Sequence, residues 1–207
     1  MDVKEAIDAG DVQALREALA NNRATADAPF RWGENCKNET RPLHYVCDKV
    51  FDKSISGECA ADLARLLIEA GADIDDSNGD PLNAAASLGA TEVGLLLLEA
   101  GARTDLTGLF GETPLHWAAT LGDDVLVERL LEKGAPLDLK DRKYNSSPLG
   151  WALHGWGEAM SAASGNYRAV VTRLVRAGAT VDPAWLAEAE AKGRTEVVRA
   201  LGDVSEA

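Results

Sequence analysis

The stretch Gly111-Glu112-Thr113-Pro114-Leu115-His116-Trp117-Ala118-Ala119 decides the fold, together with Gly122 and Val125-Leu126-Val127-Glu128-Arg129-Leu130-Leu131-Glu132-Lys133-Gly134-Ala135. It reads as a turn, a short helix, a glycine-marked turn, a second helix and a glycine stop. Leu115, Ala118 and Ala119 recur at helical spacing on the first helix, as do Leu126, Val127, Leu130 and Leu131 on the second. Thr113 stands where an N-cap is needed, and Pro114 occupies the first helical position, where a missing N–H costs nothing. Gly134 suits the left-handed residue that closes a helix. A helix pair this short cannot bury its apolar face alone, so the pattern requires neighbours of the same kind.

Those neighbours are present. Arg41-Pro42-Leu43-His44-Tyr45 leads to Gly71-Ala72-Asp73, Asp80-Pro81-Leu82-Asn83-Ala84 leads to Gly101-Ala102, and Ser147-Pro148-Leu149-Gly150-Trp151-Ala152 leads to Gly178-Ala179. The closing glycines Gly71, Gly101 and Gly134 follow one another at 30 and 33 residues. A period near 33 with a Thr-Pro-Leu-His start and a Leu-Leu-x-x-Gly-Ala end resembles the ankyrin repeat family. The resemblance covers nearly the whole chain. It implies an all-α solenoid of about six helix-turn-helix units with β-turn or hairpin fingers between them. Read as a single domain over 1–207, the units fall at 2–22 (an N-terminal cap), 40–73, 79–103, 111–136, 146–180 and 183–202 (a C-terminal cap). Asn21-Asn22 replaces the glycine stop of the first unit, since asparagine tolerates the left-handed conformation.

Two units are long. From the motif proline to the closing glycine is 20 residues in the third and fourth units, but 29 in the second and 30 in the fifth. The spacing places insertions between the paired helices near 48–58 and 154–165, both at one end of the stack. Such insertions are cheap in loop entropy, so drift explains them. Insertions in solenoids also often lie on the binding face, and these carry Phe51, Ile55, Trp156 and Met160. Both readings stay open.

Composition bounds the function. With 46% hydrophobic residues the chain is globular, not disordered. A net charge of −13 argues against a sequence-independent grip on nucleic acid or anionic lipid, which needs clustered Lys and Arg. A partner protein with a basic surface is the more natural match, although such acidity also serves solubility alone. Cys36, Cys47 and Cys59 leave at least one thiol unpaired, which fits a reducing compartment. Met1-Asp2-Val3-Lys4-Glu5 lacks a signal-peptide start, and the apolar run Leu95–Leu98 stops at Glu99, far short of a membrane span. The expectation is a monomeric cytoplasmic protein without a cofactor.

Catalytic patterns are missing from the sequence. Cys36, His44, Cys47 and Cys59 fall within 24 residues and invite a metal-dependent enzyme, but no C-x-x-C or H-x-x-x-H pair supports one. The resemblance makes His44 and His116 structural residues that hold the turn through neighbouring backbone, and Cys47 takes a small core slot. There is no Gly-x-Ser-x-Gly, phosphate-binding loop or dinucleotide fingerprint. Asp75-Asp76 and Asp123-Asp124 sit at turns, where solvated acids are ordinary. The reading is no enzyme.

In the family that the chain resembles, the fingers and the first helix of each pair line a groove that binds proteins. That implies groove positions at Asp48, Lys49, Ser87, Leu88, Thr120, Leu121 and His154. Leu109 and Phe110 occupy a turn tip, where polar residues are usual, and the next finger ends in Tyr144. Trp117 and Trp151 follow the histidine slot and are expected to pack in the core, while Trp185 anchors the C-terminal cap. Trp32 and Trp156 lie in irregular segments with no core role assigned to them. The expected contact set is therefore Trp32, Phe51, Leu88, Leu109, Phe110, Leu121, Tyr144, His154 and Trp156. It describes a non-catalytic protein-binding module or, more narrowly, an inhibitor of antitoxin type capping a basic enzyme.

Overall fold

The computed structural model describes residues 1–33, 38–76, 80–159 and 165–202. The chain forms two compact units, Met1–Leu106 and Thr107–Ala207, and each is described by itself. The first begins with α1 (Val3–Ala9), α2 (Val12–Asn21) and a 3-10 turn (Arg23–Ala26). A hairpin of β1 (Phe30–Trp32) and β2 (Asn38–Thr40) then pairs antiparallel, with Phe30 opposite Thr40. Two helix pairs complete this unit: α3 (Pro42–Phe51) with α4 (Gly57–Ala70), and α5 (Pro81–Ser87) with α6 (Thr91–Glu99). Helices α1, α3 and α5 pack side by side in one layer, and α2, α4 and α6 in the other.

The second unit pairs α7 (Pro114–Leu121) with α8 (Asp124–Glu132), α9 (Pro148–Ala159) with α10 (Tyr167–Arg176), and α11 (Pro183–Ala191) with α12 (Thr195–Gly202). Helix α7 lies against α9, α8 against α10, and α10 against α12. The described chain is thus the all-α arrangement of repeated helix pairs that the sequence predicts, with one true hairpin among its fingers. The apolar stripes meet between the two helix layers of each unit. Leu15, Leu63, Leu67 and Leu97 are sealed from water in the first, and Leu115, Leu126, Leu130 and Leu149 in the second. Each such side chain stabilises the fold by about 1.5–3 kcal/mol.

Local chemistry sets the helix starts. Asp2 and Glu5 close a capping box on α1, and Thr113 and His116 close one on α7. Asp80 stands where the repeat pattern has threonine, yet it does the same work. Its carboxylate accepts from the backbone N–H of Leu82 at 3.1 Å and Asn83 at 3.3 Å, and the Asn83 amide donates to it at 2.6 Å. Asn22 departs from expectation: its φ of −150° is extended, and it caps the 3-10 turn instead of closing α2 in a left-handed residue.

Most of the extra residues of the second pair, and those of the fifth that are described in α9, lengthen helices. Helix α3 runs ten residues and α4 fourteen, against seven and nine in α5 and α6, and only a five-residue turn, 52–56, separates them. Helix α9 likewise runs twelve residues against eight in α7. Once a helix is nucleated each added residue gains a hydrogen bond, so lengthening the helices costs less than ordering a loop. Trp156 therefore sits on α9, not in an irregular segment. Met160 falls outside the described residues.

In the second unit the end of α7 meets Gly155 of α9 and Gly165 before α10 at close range. A side chain at Gly155 would strike the Thr120 carbonyl, and one at Gly165 would lie 2.6 Å from the Leu121 carbonyl. The Tyr167 hydroxyl donates to that Thr120 oxygen at 3.1 Å, and Asn166 N–H donates to the Gly122 carbonyl at 2.8 Å. Gly155→Ala is therefore expected to destabilise the protein by about 1–3 kcal/mol through overpacking. Gly157, on the same helix, has no neighbour nearer than 3.7 Å. Gly157→Ala is expected to stabilise by about 0.5–1 kcal/mol through helix propensity. Urea unfolding of the two variants checks these opposite signs.

Candidate functional site

The second unit holds a cavity of ≈ 620 Å³ whose walls include Phe110, Trp117, Tyr144, Trp151 and His154. Two fingers and two helices build it. In the first finger Gly111 N–H donates to the Gly108 carbonyl at 3.0 Å, and Gly111 adopts a φ of +82° that a side chain would strain. The Glu112 carboxylate accepts the Phe110 N–H at 2.8 Å, which fixes the tip and turns its two apolar side chains outward. Leu109 is 79% exposed and Phe110 47%.

The second finger is organised by Asp141, which is 2% exposed. Its carboxylate accepts from the backbone N–H groups of Lys143 (2.8 Å), Tyr144 (2.7 Å) and Ser146 (3.1 Å), and from the Trp151 indole (3.0 Å). One buried charge thereby shapes the finger and aims a helix side chain at it. Burial alone would raise this carboxyl, but the Tyr144 N–H, the Trp151 indole and the other donors hold it below the usual carboxylate range. The two fingers are tied together. Arg142 N–H donates to the Phe110 carbonyl at 2.5 Å and its guanidinium to the Leu109 carbonyl at 3.1 Å. The Lys143 ammonium lies 5.3 Å from the Phe110 ring centre and 4.9 Å from that of Tyr144.

His116 locks α7 to the second finger. Thr113 N–H donates to its Nδ1 at 3.0 Å, so the proton belongs on Nε2, which meets the Ser146 carbonyl at 3.2 Å. This is the backbone-holding role that the repeat resemblance implies. Burial keeps the ring neutral by pushing its pKa down. The Trp151 ring meets Trp117 at 5.0 Å and 84°, His116 at 5.3 Å and 77°, and Tyr144 at 6.0 Å and 71°.

The structure brings together Phe110, Tyr144 and His154 from the expected contact set, with Leu109 beside them at the finger tip. Leu121 is exposed at the end of α7 and Trp156 half-buried on α9, and neither is among the residues that line this cavity. Trp32, Phe51 and Leu88 belong to the first unit. Phe51 is the exposed last residue of α3 and Leu88 the half-buried residue after α5, while the Trp32 side chain lies outside the description. Trp117 and Trp151 depart from expectation: both are half-buried and line the cavity instead of the core. The repeat register carries the signal for them. Each stands three residues before a groove position, Thr120 or His154, and so shares its helix face.

Cys47 and Cys59 take packed positions. Cys47 is sealed in the core with Sγ 3.5 Å from the Leu43 carbonyl, and burial pushes its thiol well up. The Cys59 thiol donates to the Gly10 carbonyl at 3.4 Å, and Cys36 lies outside the described residues. Among the described residues no three His, Cys, Asp or Glu side chains are grouped to hold a metal ion. No described helix is long and apolar enough to cross a membrane.

Acid should weaken the second unit in two stages. A group whose pKa is lower in the folded protein adds stability that is complete above its unfolded value and drains as pH falls toward the folded one. The loss tied to His116 therefore starts below about pH 6.5, and that tied to Asp141 below about pH 4. Asp141→Asn leaves two of four donors without an acceptor and should cost about 1–3 kcal/mol at neutral pH, with the loss shrinking below about pH 4. Urea unfolding of parent and variant at pH 7 and pH 3 measures both.

Residues 110–142 match the model of the ankyrin repeat family, a window that runs from the Phe110 finger through α7 and α8 to the start of the next finger. No curated protein matches the chain. Ankyrin repeats serve in general as protein-interaction modules and are typically non-catalytic. The chain resembles the ankyrin repeat family across its helix pairs, and at residues 110–142 it carries a repeat that matches the family model.

Proposed function

We propose that the protein is a non-catalytic module that binds a partner protein at the aromatic cavity of its second unit. The observation that carries this reading is the convergence of Phe110, Trp117, Tyr144 and Trp151 on one cavity held by two tied fingers. Aromatic anchors seated in a preformed pocket supply most of the affinity in protein interfaces. Asp141 fixes the Trp151 ring, and Asp141 and His116 together fix the backbone of the finger that carries Tyr144, so less ordering remains to be done on binding.

The net charge of −13 favours a partner with a basic surface over nucleic acid, and speeds the encounter. The role proposed is that of a monomeric cytoplasmic adaptor; an inhibitor capping a basic enzyme is a narrower form of the same reading.

Affinity capture with the full chain, followed by identification and titration of the captured protein, tests the proposal. Tyr144→Ala is expected to weaken binding about 30-fold, near 2 kcal/mol, and Phe110→Ala to weaken it at least several-fold. Val125→Ala, at an exposed position on α8, should bind as the parent does. Parent-like affinity in both finger variants would overturn the assignment.

A further inference from the structure

Resting on that reading, we infer that the cavity takes a methylated lysine side chain of the partner protein. Three observations lead there. The first is the shape of the walls. Trp151 meets Trp117 at 84° and Tyr144 at 71°, so these rings form a corner, not a stack. A corner suits a compact rounded head, whereas a flat ring asks for parallel faces.

The second is charge. The rings already attract a cation of this chain, since the Lys143 ammonium sits within 6 Å of both Phe110 and Tyr144. Lys143 is exposed at the rim and free to swing into water, where a ligand's cation replaces it. Buried Glu112 and Asp141 add negative charge to the same wall.

The third is hydrogen bonding, which separates a methylated head from a plain one. An unmodified ammonium brings three N–H donors that need acceptors once they leave water. The Asp141 carboxylate already accepts four donors, and Glu112, with one oxygen on the Phe110 N–H, leaves its other oxygen as acceptor, short of the three that an ammonium needs. A trimethylammonium has no N–H to satisfy. It asks only for aromatic faces and nearby negative charge, and the cavity offers both.

The test uses the full chain and three capped tripeptides, Gly-X-Gly, in which X is Nε-trimethyllysine, lysine, or the neutral analogue with carbon in place of the quaternary nitrogen. Titration is followed by the indole N–H resonances of Trp117 and Trp151. The trimethyllysine peptide is expected to bind about tenfold more tightly than either of the other two. Tyr144→Leu keeps apolar bulk but removes the ring; it should weaken that peptide about fivefold without shifting the unfolding midpoint. Equal binding of the neutral analogue or of lysine would overturn the inference, as would no binding by ~10 mM, far weaker than a cation held on several desolvated rings. The two readings separate cleanly. A captured partner that needs Tyr144 but is not displaced by the trimethyllysine peptide leaves the interaction site standing and removes the cation. Peptide binding with a captured partner indifferent to Tyr144 does the reverse.

Discussion

A carboxylate almost sealed from water, Asp141, accepts three backbone N–H groups and one indole, and the second unit is arranged around that contact. Four donors converge on the two oxygens of one buried carboxylate, so the finger has a single favourable shape. From it follow the outward turn of Tyr144, the tilt of Trp151 and the approach of Arg142 to the neighbouring finger. The cavity is a consequence of how the fingers are pinned.

The same device recurs in weaker form along the chain. The carboxylate of Asp27 accepts from Asp73 N–H, that of Asp75 from Arg103 N–H, and that of Asp138 from Thr180 N–H. Each acceptor sits in one finger, and each donor follows the Gly-Ala stop of the next repeat. Part of the acidity is therefore architectural: these side chains link successive repeats, and only the remainder is free to act on a partner. The net charge of −13 thus says less about binding than its size suggests.

Helix packing sets the other constraint. The fit of Gly155 against the Thr120 carbonyl brings α9 tightly onto α7, and that closeness sets Trp117 against Trp151. Residues of one repeat position become neighbours because the repeats are stacked at this distance. A repeat carrying a smaller residue in that slot, such as Ala84 in α5, offers no such wall.

The helix pairs, their caps and their glycine stops were legible in the sequence because each depends on residues within a few positions of one another. Thr113 with His116, and the left-handed Gly71, Gly122 and Gly134, are of this kind. The exposure of Phe110 and Tyr144 was legible as well, since a large apolar side chain at a turn tip is conspicuous wherever the turn lies. The fate of the extra residues in α3, α4 and α9 was not, because length alone does not say whether a segment loops or continues a helix. Nor were the roles of Trp117, Trp151 and Asp141. Burial of a tryptophan on a repeat helix depends on how closely the next helix approaches, and the partners of a carboxylate depend on where the chain returns. Both are set by contacts between repeats, and only the tertiary structure decides them.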